Sequence, residues 1–68
     1  MKKTILIKID NAFIKLKSPY NTFNFDLLDN YNQDVNLFKI LINHYKRYNF
    51  NIIISIEDLK TLERMNIL

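Results

Sequence analysis

The sequence predicts a small α+β domain, in which a β-hairpin and one or two further strands form a largely antiparallel sheet with two helices packed on one face. Two stretches of alternating apolar residues near the start predict the hairpin. A long amphipathic segment followed at once by an isoleucine-rich strand predicts a helix lying against the sheet. The expected order is therefore β-β-(β)-α-β-α. With 68 residues and no linker or repeat, we expect a single domain over residues 1–68.

The hairpin is predicted over residues 3–17, where every second residue is apolar on both sides of Asp10–Asn11. If Asp10 and Asn11 form a two-residue turn, Ile9 lies opposite Ala12 and the inward apolar residues share one face. A register shifted by one residue, with a bulge, is the alternative. Because the chain has no glycine, asparagine is expected where the backbone needs a positive φ, with Asn11, Asn49 and Asn21 as candidates.

A third strand is predicted after the turn at residues 18–21, because Phe23, Phe25 and Leu27 alternate with polar residues. An irregular or helical segment over residues 26–31 is the alternative. The first helix is then expected to begin near Asn32 or Asp34, both favourable N-cap residues.

The first helix carries a broad apolar arc of about 160°. Its members, all expected to face the core, are Val35, Leu37, Phe38, Leu41, Ile42, Tyr45 and Tyr48. Ile40 lies among the polar residues of the opposite side, and His44 lies at the edge of the arc. Residues 50–56 follow as a strand that is apolar on both faces, which is typical of a central strand. Ser55 is the expected N-cap of a second helix, whose apolar line includes Ile56.

The residue inventory predicts a non-enzymatic protein without metal or cofactor. The chain has no cysteine and one histidine, so neither a thiolate zinc site nor a His-rich site is expected. No acidic residue lies three or four positions from His44, which leaves a nucleophile–base pair unsupported. The absence of glycine removes the usual nucleotide-binding loops.

Protein interaction is the preferred functional hypothesis. Leu6, Phe13 and Ile53 are expected on the face of the sheet away from the helices, where lysines would surround them as a partner or dimer interface. Ile40 and His44 are the helix residues added to that tentative interface. Two simpler alternatives stay open: lysine stems shield the apolar residues, or aromatic residues 20–25 fold over them.

Nucleic-acid binding is the second hypothesis, supported by a net charge of +3. One candidate group lies on the hairpin beside Phe13, and the other lies on the polar face of the helix. The residues are Lys8, Lys15, Lys17, Lys39, Asn43, Lys46 and Arg47.

The composition also suggests a kind of source and of action. Ten Asn, eleven Ile and eight Lys, against two Arg, are typical of A/T-rich genomes. Small proteins of this composition are often encoded by phages and mobile elements, where they bind and block a host or defence protein, as anti-CRISPR inhibitors do. We therefore expect a protein partner or self-association as a homodimer, no membrane segment, and the cytoplasm as location, which is the host cytoplasm if the source is viral.

Overall fold

Four strands in the order β3-β2-β1-β4 form one mixed sheet in the computed structural model, which describes residues 3–68. The strands are β1 (Thr4–Asp10), β2 (Phe13–Lys17), β3 (Thr22–Asp26) and β4 (Asn51–Ile54), and the helices are α1 (Tyr31–Arg47) and α2 (Ile56–Arg64). The pairs β1–β2 and β2–β3 are antiparallel, whereas β1–β4 is parallel. The predicted α+β class and element order, including the third strand, are confirmed.

The hairpin register differs from the prediction by two residues. Ile9 pairs with Ile14, not Ala12, and the turn is formed by Asn11 and Ala12 between the paired residues Asp10 and Phe13. Asn11 has a φ of 54°, a region that asparagine tolerates better than other non-glycine residues. Because side chains alternate with a period of two, this shift leaves the same apolar residues on the inward face.

Strand β3 is joined to the start of α1 by two acidic side chains. The carboxylate of Asp34 accepts a hydrogen bond from the Asp26 N–H at 2.7 Å. Asp26 in turn accepts from the N–H groups of Leu28 and Asp29, which shapes the connecting turn. The helix begins earlier than predicted, with Asn30 as an N-cap that makes no side-chain capping bond. Asp34 therefore holds the edge of β3 instead of capping the helix.

The core lies between the inward face of the sheet and the two helices. Phe38 is fully buried and meets Phe25 edge-on, with ring centroids 5.3 Å apart. The buried residues of the core are Ile5, Ile7, Ile14, Leu16, Phe25, Val35, Phe38, Ile42, Tyr45, Leu62 and Ile67. The predicted α1 arc is confirmed at its centre and wrong at one margin, because Leu37 and Tyr48 are exposed.

Both helices end in the same way, at an asparagine with positive φ. Asn49 has a φ of 60°, its N–H donates to the carbonyl of Lys46, and the next N–H, of Phe50, donates to Tyr45. This pair of bonds is the Schellman arrangement, which satisfies carbonyls at the end of a helix. Asn66 ends α2 equivalently. Among the three asparagines predicted to adopt positive φ, Asn21 does not.

Strand β4 lies at an edge of the sheet, so its predicted central position is wrong. It pairs with β1 alone, and its isoleucines are half-buried or exposed. Ser55 caps α2 as predicted, since its hydroxyl accepts from the Asp58 N–H. Ile56, predicted to face inward, is exposed because it is the first residue of α2 and precedes the turn that packs on the sheet.

Candidate interaction surfaces

One side of α1 presents large apolar residues that no other part of residues 3–68 covers. Leu37, Ile40 and Tyr48 are 47%, 64% and 61% exposed. Together with exposed His44 they form the surface called here the α1 flank. The spacing 37, 40, 44, 48 keeps successive members three or four positions apart, which places them on one side of a helix. The helix therefore has a buried side on the sheet and an apolar side that faces outward.

His44 belongs to this flank through direct ring contacts. Its imidazole lies 4.7 Å from the Tyr48 ring and 5.7 Å from the Tyr45 ring, centroid to centroid. Tyr45 is buried and packs on Phe50 at 5.0 Å. The aromatic contacts thus run from the core through Tyr45 to the exposed rings of His44 and Tyr48, and they hold the exposed rings in place.

The structure brings the predicted residues Ile40 and His44 together and adds Leu37 and Tyr48, which the sequence assigns to the core. One signal in the sequence could have identified them. An apolar arc of about 160° is wider than the roughly 100° stripe that a helix on one sheet needs. The surplus residues at one margin of the arc are those that remain exposed.

The face of the sheet away from the helices, called here the open face, carries the other three predicted interface residues. Leu6 and Ile53 are cross-strand neighbours on β1 and β4, and they are 44% and 55% exposed. Phe13 lies opposite Asp10 at the other end of β1. On this face of the sheet the facing pair Lys8 and Lys15 separates Phe13 from Leu6. The open face thus has an apolar pair at one edge and a separate exposed phenyl ring. The aromatic residues Phe23 and Phe25 point to the core and do not cover it.

Three lysines lie on the open face as predicted. Lys8 is directly opposite Lys15, and Lys17 is opposite Leu6. Lys15 forms an ion pair with Asp10 at 3.0 Å. Its hydrogen bond and positive charge, with a smaller effect of Lys8, lower the pKa of the Asp10 carboxyl. Asp10 therefore offsets part of the repulsion between like charges on facing strands.

The cations of α1 lie on the other side of the molecule from these lysines. Lys39, Asn43 and Lys46 line a shallow cleft next to the terminal residues Ile67 and Leu68. Asn43 also borders the α1 flank with Arg47, beside Ile40 and His44. Because the helices cover one face of the sheet and Lys8, Lys15 and Lys17 lie on the other, the predicted anion-contact residues form two separate groups.

Strand β4 leaves hydrogen-bonding groups at the edge of the sheet. The Asn51 N–H donates to the Lys3 carbonyl of the neighbouring chain segment. Since alternate residues of a strand face the same neighbour, Asn51 and Ile53 direct their backbone groups at β1, and Ile52 and Ile54 direct theirs outward. A cleft of about 270 Å³ lies inside this edge and is lined by Ile52, Ile54 and residues of both helices.

Two outward N–H groups elsewhere in the sheet are bonded by carboxylates. Asp34 accepts from Asp26 at the edge of β3, and Asp58 accepts from Ile9 at 3.1 Å, where β1 extends beyond β4. Among the hydrogen bonds of residues 3–68, none of this kind reaches the outward N–H groups of Ile52 and Ile54. Both outward N–H groups of β4 thus lack an acceptor in the described part of the chain.

Neither helix is long and apolar enough to cross a membrane within the part of the chain that the structure describes. Over the same residues, no three histidine, aspartate or glutamate side chains lie together in a way that could hold a metal ion. The chain matches no protein-family model, no curated protein and no solved structure in the comparisons made.

Proposed function

We propose that the chain is a non-enzymatic protein-interaction module that binds a partner protein through the α1 flank. The observation that carries the proposal is the set of three large apolar side chains, about half or more exposed, on a helix whose other side is fixed in the core. Such residues on the surface of a small domain mark a site that a partner covers. Tyrosine and arginine, both present here, are enriched at the centres of protein interfaces.

The partner is expected to offer an apolar groove with an acidic rim. Anchors at positions i, i+3, i+7 and i+11 suit a helix lying along a groove, with Leu37 at one end and Tyr48 about 17 Å away at the other. Burying one such side chain fully contributes about 1.5–3 kcal/mol, so three half-exposed anchors supply a substantial share of a binding energy. Arg47 borders the flank, and the chain as a whole is cationic, which favours acidic residues around the groove.

The test compares binding by the wild type with binding by Ile40→Asp and Tyr48→Ala. The matched control is Leu28→Asp, because Leu28 is 73% exposed and lies in the turn after β3, outside the helix that carries the flank. A partner recovered from the source cell by the wild type and by Leu28→Asp should be lost, or weakened at least tenfold, with Ile40→Asp and with Tyr48→Ala. Equal binding by all four proteins, with circular dichroism showing intact folds, would contradict the proposal.

The mode of action that we propose is blocking. A domain without catalytic machinery acts by occupying a surface, and an inhibitor of a host or defence protein, of the anti-CRISPR kind expected from the composition, fits this role. The proposed setting is the cytoplasm of the cell that makes the chain, or of the host if the chain is viral. Adding the purified domain to the identified partner should reduce the partner's activity in a concentration-dependent way, and Ile40→Asp should restore that activity.

A second candidate function is nucleic-acid binding by the open face, and one observation favours it. Lys8 and Lys15 face each other across two strands, with Lys17 beside them and the exposed ring of Phe13 nearby. Like charges in direct opposition destabilise a sheet, and a phosphate between them would relieve the repulsion. If this face binds single-stranded DNA or RNA, Lys8→Gln should weaken binding and reduce its salt dependence, and Phe13→Ala should weaken it without changing that dependence. Lys60→Gln, an exposed lysine on α2, is the control.

A further inference from the structure

The edge of β4 differs from the edges that soluble proteins usually display. Exposed edge strands are commonly protected by charged side chains, proline, bulges or a covering segment. Strand β4 has the sequence Asn-Ile-Ile-Ile, without charge or proline, and pairs in regular register with β1. The opposite edge, β3, ends in Asp26, whose outward N–H is occupied by Asp34. Within residues 3–68 the two edges are therefore not equivalent: an aspartate occupies one outward N–H of β3, whereas both outward N–H groups of β4 lack an acceptor and its edge carries no charge.

We propose that β4 pairs with β4 of a second copy of this chain, antiparallel and centred on Ile53, so that two four-stranded sheets join into one of eight strands. The extended segment includes Ser55, whose φ of −67° and ψ of 154° continue the strand conformation. In this register Ile53 lies opposite Ile53 of the second copy, and Ile52 lies opposite Ile54. The surface concerned is not the α1 flank, so the proposal goes beyond the proposed function and does not depend on it.

The backbone groups select this register. In an antiparallel pair, residues that exchange both N–H···O bonds must each direct their backbone groups at the partner strand. Ile52 and Ile54 do so, while Asn51 and Ile53 are occupied by β1. When Ile52 of each copy pairs with Ile54 of the other, four hydrogen bonds form. All outward backbone groups of Ile52 and Ile54 are then paired. A shift by one residue would place groups already bonded to β1 at the new seam.

The side chains are compatible with the same register on both faces. On the open face, Ile53 and Leu6 of each copy would form a continuous apolar row across the seam, since Leu6 already pairs with Ile53. On the inner face, Ile52 and Ile54 are half-buried beside the cleft. Asn51 would face Ser55 of the second copy, a polar pair. β-branched pairs on facing strands are among the more favourable contacts in a sheet.

A second copy fits this edge better than a charged strand because the edge has no charge to match. Asn51–Ser55 carries no ionisable side chain, so two copies bring no like charges together at the seam. The cleft beside it has one cation, Lys46, and one anion, Glu63, and therefore no strong preference for either sign. Five paired residues with flanking Leu6 make a small interface, so we expect a dissociation constant on the order of 10–100 µM.

The test is sedimentation equilibrium from about 5 to 500 µM, a range that spans the expected constant. The wild type should pass from monomer to dimer. Ile53→Lys and Ile53→Glu should each stay monomeric, because each would place two like charges in direct opposition, whereas an equimolar mixture of the two should recover a heterodimer. Leu28→Lys, at a residue that is 73% exposed against 55% for Ile53 and that lies in the turn after β3, and Ile40→Asp on the α1 flank should dimerise like the wild type.

Two results would overturn the proposal: a wild type that stays monomeric up to about 500 µM, or a dimer that Ile53→Lys and Ile53→Glu leave intact. Hydrogen exchange of the wild type gives a measurement that needs no variant. The amides of Ile52 and Ile54 should become protected as the concentration rises, while that of exposed Asn24 on β3 should not. If the amides of Ile52 and Ile54 exchange at the same rates at the lowest and the highest protein concentration, although the concentrated sample sediments as a dimer, the interface lies elsewhere.

Discussion

Replacing Asp58 with alanine should destabilise the domain far more than an exposed helix residue normally would. The Asp58 carboxylate accepts a hydrogen bond from the Ile9 N–H, where β1 extends past the end of β4. It also lies in the first turn of α2, close to the positive end of the helix dipole. Asp58→Ala removes both interactions and leaves a partly buried backbone N–H without an acceptor.

The expected loss can be estimated from these two contributions. A hydrogen bond to a charged group contributes about 1.5–3 kcal/mol, and an acidic residue in the first turn about 0.3–1 kcal/mol. We therefore expect Asp58→Ala to lower the free energy of unfolding by about 2–4 kcal/mol. A domain of this length has only about 3–10 kcal/mol in total, so the melting temperature should fall by about 8–30 °C.

The assay is urea unfolding followed by circular dichroism, with Glu57→Ala as the matched control. Glu57 lies beside Asp58 in the same first turn and makes no bond to a strand, so its removal should cost only the dipole contribution, about 0.3–1 kcal/mol. Asp58→Asn keeps an acceptor oxygen, so its loss of unfolding free energy should lie between those of Glu57→Ala and Asp58→Ala. If Asp58→Ala and Glu57→Ala unfold at the same urea concentration and the Ile9 amide exchanges no faster, the reasoning is wrong.

Three further predictions concern the core, a helix end and an ion pair. Phe38→Ala removes a fully buried ring that contacts Phe25 and should cost about 3–5 kcal/mol, enough to leave much of the protein unfolded in thermal melts at room temperature. Asn49→Ala forces a non-glycine, non-asparagine residue into positive φ and should cost about 1 kcal/mol in urea unfolding, whereas Asn49→Gly should not destabilise. Lys15→Gln should raise the pKa of Asp10, measured by NMR titration of its carboxyl, because Lys15 is the main cause of the lowered value. In the wild type this ion pair contributes to stability above about pH 4 and is lost as the pH falls through the lowered pKa; a Lys15→Gln titration identical to that of the wild type would refute the assignment.

The hairpin shows what alternation in a sequence can and cannot determine. The period of two predicts correctly which residues point inward, since Ile5, Ile7 and Ile14 are buried. It cannot distinguish registers that differ by two residues, because they place the same side chains on the same face. The observed turn puts Asn11 at its first central position, with positive φ, and the sequence gives no measure of how that turn compares with Asp10–Asn11.

The errors at β4 and α1 share a physical cause. Whether Ile53 or Leu37 is covered depends on which elements are neighbours in space, and local patterning does not contain that information. Residues 50–56 look like a central strand because both faces are apolar, yet the parallel pairing with β1 places the strand at an edge. The α1 arc is correctly predicted where the sheet lies under it and wrong at Leu37 and Tyr48, which no other part of residues 3–68 covers. The residues of greatest functional interest are thus the apolar ones that the other elements of the fold leave exposed.

The parallel pairing of β1 with β4 has a consequence for the order in which the chain folds. Strands β1, β2 and β3 are joined by short turns and can associate within microseconds. Ile5, in contrast, pairs with Ile52, from which β2, β3 and α1 separate it along the chain, and such distant contacts slow folding. During synthesis on a ribosome the N-terminus emerges first, so the edge of β1 that pairs with β4 stays unpaired until residues up to Ile54 have emerged. During synthesis β1, one of the two inner strands of the finished sheet, is therefore a temporary edge that is open to pairing with other chains.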